Sequence, residues 1–315
     1  MSETSCPPPA WFSHAIARPA ESRFVSTSGC AIHYRFWQGA NPGARPLLFV
    51  HGNIAHARWW DFIAPFFLPH WQPVALDLGG MGDSASRPVY APADFASDVL
   101  AVAEAITDGL PPLVVAHSFG GYMSTLAASL RPERFAGLVV VDSPLRDAEA
   151  RARRPRRRRL RFKRHFAERE AGVAKFRLHP EQPITHPFLV DYIAWHSLVR
   201  EKEGWTWKFD VSPFEDSAFD EAFWDDLNRR YGALSLPVSY IGGALSAYME
   251  ASIIDHIEGL RAGRTRIISI PQAHHHIMLD QPLALIAALR AQFEAWRSAG
   301  LLAADGPNEN RGATL

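Results

Sequence analysis

Cysteine is scarce in this chain: its 315 residues hold two, Cys6 and Cys30. One falls in the N-terminal tail and the other near the first strands, which excludes a disulfide framework, and neither has the surroundings of a reactive thiol. Charge of one sign is missing as well. The 33 basic residues balance 33 acidic ones for a formal net charge of zero, which argues against a nucleic-acid partner. No apolar run approaches the roughly 20 residues that a membrane-spanning helix needs, so no transmembrane segment is expected. The N-terminus, with Cys6, three prolines and Trp11, lacks the apolar core of a signal peptide, and a cytoplasmic protein is the expectation. There is no internal repeat. The run His274-His275-His276 contains a His-x-His pair, yet no cysteine or acidic ligand cluster accompanies it. Neither a metal nor any other cofactor is expected.

What the chain does have is 47% hydrophobic residues, ample for one large core plus an inserted subdomain. They fall in short runs. Residues 46–50 end in His51-Gly52-Asn53, 73–76 end in Asp77-Leu78-Gly79-Gly80-Met81-Gly82-Asp83-Ser84, and 113–116 end in His117-Ser118-Phe119-Gly120-Gly121. Runs at 138–141, closed by Asp142, at 238–241 and at 265–270 follow. Between runs, apolar residues recur at helical spacing, as in Phe95, Val99, Val102 and Ile106, or Ile286, Leu289, Phe293 and Trp296. Strand and helix in alternation predict a parallel sheet covered on both faces. Ligands of such sheets bind beyond the carboxyl ends of the strands, where these motifs fall. Ser118 stands on a tight turn between a buried strand and a helix, which projects its hydroxyl outward. Ala116 replaces the first glycine of the usual Gly-x-Ser-x-Gly pattern and keeps room beneath the turn. A serine in that place could also serve only as a helix cap.

With four motifs in the right order, residues 24–297 resemble the α/β-hydrolase superfamily. They are His51-Gly52-Asn53, the glycine-rich turn 77–84, the bend at Ser118, and His275-His276-Ile277-Met278-Leu279-Asp280-Gln281-Pro282, which is similar to the stretch bearing the family's histidine. The resemblance implies an α/β fold, with a mostly parallel central sheet flanked by helices and a mainly helical lid inserted after the sixth strand. It implies that Ser118 is the nucleophile and that His275, in register with Asp280 and Pro282, is the base. The backbone N–H groups of Phe119 and Asn53 would form the oxyanion hole. The acid commonly follows the strand at 238–241, but Ser246 and Ala247 occupy the expected positions there. Some branches carry it one strand earlier, where Asp142 stands. Glu250 is the second candidate, and a loop-capping role for Asp142 is the plain structural alternative.

The resemblance and the runs together divide the chain into an N-terminal tail (1–22), a core (23–145 and 236–300), a lid (146–235) and a C-terminal tail (301–315). The lid opens with a basic tract, 151–164, interrupted by Pro155. That tract reads as a solvated linker, or as a surface for anionic lipid or an acidic substrate. Its later part is acidic, with Glu215, Asp216, Asp220, Glu221, Asp225 and Asp226. Trp205 and Trp207 of the lid, Trp59 and Trp60 beyond the oxyanion loop, and His117 beside the nucleophile are the candidate substrate contacts. They suit a small molecule with an apolar acyl or alcohol group. The function this implies is a serine hydrolase acting on a carboxylic ester or lactone through an acyl-enzyme. Hydrolysis of a C–C bond in a diketone-like substrate is the alternative, and a non-catalytic ligand-binding protein on the same scaffold is the alternative of another class. Ser118 disfavours dehalogenase and epoxide hydrolase chemistry, whose branches use an aspartate nucleophile. The sequence does not speak to oligomeric state.

Overall fold

Five-residue apolar runs flanked by amphipathic helices leave a sheet little choice but to lie in the middle of the molecule. In the computed structural model, which describes residues 7–41, 43–153, 163–210 and 219–302, that is where it lies. The strands are β1 (Glu21–Thr27), β2 (Cys30–Phe36), β3 (Pro46–Val50), β4 (Gln72–Leu76), β5 (Leu113–His117) and β6 (Gly137–Val141). An inserted segment carries β7 (Leu198–Glu201) and β8 (Gly204–Trp207), and β9 (Val238–Gly243) and β10 (Arg266–Ile270) complete the core. Eight of them form one sheet in the order β1-β2-β4-β3-β5-β6-β9-β10. The β1–β2 and β2–β4 pairs are antiparallel and all other neighbours parallel.

Every residue of β3, β4, β5 and β6 is buried, as expected where helices cover both faces. Alternate side chains feed two cores, because successive residues of a strand point to opposite sides. Leu47, Phe49, Val115 and Val139 pack toward Leu289 and Phe293 of the helix Pro282–Ser298. Leu48, Val50, Val114 and Val140 pack toward the helices Pro92–Ile106, Phe119–Leu130 and Ala251–Leu260. Among the described residues, no helix is long and apolar enough to cross a membrane.

The turn 77–84 proves to be a latch. Asp77 accepts from Ala57 N–H (2.5 Å), Asp83 N–H (2.9 Å) and His33 Nδ1 (2.6 Å), while Ser84 Oγ donates to Asp77 O (2.6 Å). Gly82, at φ 61°, lies so close that a β-carbon there would meet the Asp77 carboxylate. Burial alone would raise the Asp77 pKa; the bond and charge of His33, helped by His51 and the Asp83 amide, hold it well below the usual carboxylate range.

One expectation needs correction. The segment 1–22 is not all tail: a helix, Ala10–Ile16, docks Phe12 and Ala15, three residues apart on one face, into the core. The Phe12 ring meets Phe62, Phe188 and Tyr192. The segment inserted after β6 is mainly helical. Besides the helices Ala148–Ala152, Arg169–Val173, Pro187–His196 and Glu221–Ala233 it holds the antiparallel hairpin β7–β8. The last of these helices sends Leu227 and Tyr231 into the same buried cluster as the strands. Cys6, residues 154–162 of the basic tract, Glu215, Asp216 and the tail from 303 onward lie outside the described residues.

Candidate active site

Ser118 joins β5 to the helix Phe119–Leu130 with φ 51° and ψ −118°, a conformation that a side chain with a β-carbon rarely adopts. Backbone bonds hold it there: Ser118 N–H donates to Val141 O and Gly121 N–H to Ser118 O, both at 2.9 Å. The loop after β3 crowds the same spot. A β-carbon on Gly52 would lie 3.2 Å from Ser118 Cβ and 3.0 Å from His117 Nδ1, so only glycine fits without displacing the loop.

His275 Nε2 lies 3.0 Å from Ser118 Oγ, and its Nδ1 lies 2.7 Å from Asp142 Oδ1. A carboxylate oxygen can only accept, so Nδ1 carries the proton and Nε2 faces the hydroxyl with a lone pair. Asp142 closes β6 at φ 46° and is fully buried. Its Oδ1 also accepts from Ser246 Oγ (2.7 Å) and its Oδ2 from Gly243 N–H (2.8 Å). Burial pushes this carboxyl up to about 6, against the pull of those two donors and of the positive surroundings. Glu250, the other acid candidate, is exposed at the start of the next helix.

The histidine loop is held from three sides. Asp280 Oδ2 accepts from His274 N–H (2.7 Å) and Nδ1 (3.0 Å). His117 Nε2 donates to His275 O at 2.9 Å. Gln182 of the inserted segment accepts from His276 N–H (2.9 Å) and Nδ1 (2.7 Å), and Thr185 Oγ1 donates to Asp280 Oδ1 (3.3 Å). Burial drives His117 down to about 3 and keeps it neutral. Expected as a substrate contact, His117 is buried and braces the histidine loop.

Beside Ser118, Phe119 opens a 12-residue helix, and its N–H belongs to the first turn, where amides have no intrahelical acceptor. His51 Nδ1 donates to Gly52 O at 2.7 Å while Leu78 N–H donates to His51 Nε2 at 3.0 Å. In a trans peptide the carbonyl and the following N–H point in opposite directions. Anchoring Gly52 O on His51 therefore turns the Asn53 N–H away from His51.

The tryptophans separate. The Trp59 ring lies against His276, 5.4 Å between centroids. Trp60 has no exposed surface and packs on Phe49, so it is core. Trp205 is flanked by Arg169 and Arg200, and Trp207 by Phe166 and Phe176. These partners all belong to the inserted segment, which fits packing of the hairpin and not contact with substrate. Ser246 and Gln182 acquire importance that sequence reasoning missed, although the small polar residue at the expected acid position was a signal for the first.

A second serine–histidine pair shows what the first has that matters. His56 Nε2 meets Ser197 Oγ at 2.9 Å, but the serine donates to Ile193 O and both residues are buried. Its hydroxyl is committed to a helix carbonyl and its imidazole, pushed down to about 3 by burial, has no carboxylate hydrogen-bonded to it.

Strands that bring a serine, a histidine and a carboxylate into one line at the carboxyl edge of a mostly parallel sheet place the chain in the α/β-hydrolase class of folds. Its sequence agrees: residues 47–289 match the alpha/beta hydrolase family, and the chain belongs to that family. It is 32% identical over 110 residues to the pimeloyl-[acyl-carrier protein] methyl ester esterase of Klebsiella pneumoniae, covering 34% of this chain and 40% of that one. To lipase LipV of Mycobacterium tuberculosis it is 38% identical over 103 residues, or 32% and 38% of the two chains. The chain thus spans less than half the length of these relatives. Among solved structures, E-2-(acetamidomethylene)succinate hydrolase superposes with a TM-score of 0.74 at 19% identity, over 88% of this chain and all of the other. At that identity the likeness concerns the fold.

Proposed function

We propose that the chain is a serine hydrolase that cleaves a carboxylic ester through an acyl-enzyme on Ser118. The continuous relay from Ser118 Oγ through His275 to Asp142 carries this reading. His275 Nε2 takes the Oγ proton as Oγ attacks the ester carbonyl, and Asp142 stabilises the imidazolium that forms. The carbonyl oxygen gains negative charge toward the N–H groups of Phe119 and Asn53. Collapse breaks the C–O bond, and the alkoxide leaves with the proton from His275. Water then attacks the acyl-enzyme, gives its proton to His275 and releases the acid and Ser118.

The sequence relatives named a methyl ester esterase and a lipase support an ester as the substrate class. A lactone presents the same scissile bond, and a diketone cleaved at carbon would draw on the same three groups. Contact between His275 and Asp142 favours catalysis over a non-catalytic binding role, whose main ground was the vacant acid position at Ser246 and Ala247.

A fluorophosphonate probe tests the nucleophile. It is expected to label Ser118, with labelling and p-nitrophenyl ester turnover both lost in Ser118→Ala. A folded wild-type protein that takes no label would point to the binding scaffold. Parallel rates on esters, lactones and diketones would then fix the scissile bond.

A further inference from the structure

Four residues past Asp142, a buried positive charge has no counter-ion among the described residues. Arg146 is 9% exposed, and the hydrogen bonding of its guanidinium amounts to one long bond, from Nη1 to Pro144 O at 3.4 Å. Elsewhere in the chain buried guanidinium groups are matched: Arg35 and Arg87 pair with Asp61 and Asp98, and Arg261 donates to three backbone carbonyls. The edge formed by Nε and Nη2 of Arg146 is unbonded, yet neither atom is sealed from solvent as Nε of Arg87 and of Arg261 is. A charge so desolvated is costly without a partner. Its open edge carries two parallel N–H groups at the spacing of a carboxylate.

The guanidinium stands at the site. Its carbon lies 5.2 Å from the centre of the Tyr248 ring, and that ring meets the His275 ring edge to face at 4.7 Å, so one side chain touches both the charge and the base. On the other side, Tyr122, one turn along the helix that Ser118 caps, donates its hydroxyl to Pro144 O at 3.0 Å, the same carbonyl that takes Arg146 Nη1. Ser118, Tyr122 and Tyr248 are each partly exposed, as residues that meet a substrate must be. The inserted segment fixes the backbone: Arg146 O accepts from Asn228 Nδ2 (2.8 Å) and Arg151 Nη1 (2.7 Å), which places the charge before a ligand arrives. Asp142 feels that charge, but its two oxygens are taken by His275, Ser246 and Gly243. The partner must come from outside the protein.

Building on the assignment of Ser118 as the nucleophile, we propose that the substrate carries a carboxylate besides its scissile ester and that Arg146 receives it through Nε–H and Nη2–H. A single guanidinium matches a singly charged group; a phosphate dianion would bring surplus negative charge toward Asp142.

The test uses p-nitrophenyl monoesters of linear dicarboxylic acids from succinate to pimelate, and acetates of ω-hydroxy acids for the alcohol side, each set against the same compound with its carboxylate capped as the N-methylamide. At least one carboxylate is expected to exceed its capped counterpart in kcat/KM by about tenfold or more. In Arg146→Gln that ratio is expected to fall to one or below, and in Arg146→Lys, which keeps the charge but not the paired edge, to settle between. Equal or lower kcat/KM for every carboxylate in the wild type would overturn the proposal without recourse to any variant. So would a folded Arg146→Gln variant that slows both members of a pair by the same factor, the mark of a charge that serves Asp142 alone. Labelling of Ser118 by the fluorophosphonate separates the two claims: with the label present and no carboxylate preference, the nucleophile stands and the role of Arg146 falls. Without the label, the assignment beneath the proposal falls and takes the proposal with it.

Discussion

Asp142 is a carboxylate that must be charged to serve the proposed relay and is buried where charge is costly. The balance sits in two bonds, from Gly243 N–H and Ser246 Oγ, that favour its ionised form. Turnover is expected to fall as pH drops through about 6, when burial lets the carboxyl take a proton and His275 loses its partner. Ser246→Ala removes one of the two donors and is expected to move that limb of the kcat profile to higher pH by about one unit, with KM little changed. Ser246→Thr should restore it. A limb that does not move would show that Ser246 merely fills space. Asp142→Asn is expected to lower kcat by about 10³- to 10⁴-fold in a folded protein, and near-normal turnover would shift attention to Glu250. The proposed nucleophile and acid, Ser118 and Asp142, stand out in the chain because each directly follows a strand, and His275, the proposed base, because it stands just ahead of a short helix at a motif. Ser246 and Gln182 do not: their value arises from contacts with residues 104 and 94 positions away, which no local pattern encodes.

Loops do at the scale of elements what side chains cannot do alone. His51, from the end of β3, turns the Gly52–Asn53 peptide, and Gly52 lets that peptide lie against Ser118. In Gly52→Ala the new methyl must push the loop aside by a few tenths of an ångström. The expected result is a kcat loss of about 10²- to 10³-fold, the scale of losing one oxyanion donor, with the protein still folded and its melting temperature lowered by only a few degrees. Wild-type kcat in that variant would mean the Asn53 amide plays no part. The inner strands β3 to β6 were legible as unbroken apolar runs because both their faces are covered. Strands β1 and β7 were not, since β1 alternates partly buried with exposed residues at the sheet edge and β7 has two exposed residues in four. The helix Ala10–Ile16 is seven residues long behind three prolines, too short for periodicity to reveal.

For the whole molecule the same acid sets activity against stability. A carboxyl that titrates higher in the folded chain than in the unfolded one takes up protons on folding between the two values. The contribution of Asp142 is therefore fully present below about pH 4 and is lost as pH rises through about 6. Asp77 runs the other way: its depressed pKa stabilises the fold above about pH 4 and that support disappears in acid. Asp142→Asn is expected to melt a few degrees above the wild type at pH 8, from about 1–3 kcal/mol of relieved burial cost, with the gap closing toward pH 4. Equal melting temperatures at pH 8 would show that the ionised carboxylate is fully compensated. One bond pattern reaches furthest. Because Gln182 and Thr185 hold His276 and Asp280 on either side of the loop that carries His275, excising the insertion to obtain a minimal, promiscuous catalyst should instead yield a slower one, with His275 still tethered by Asp142 and His117 but without those two braces.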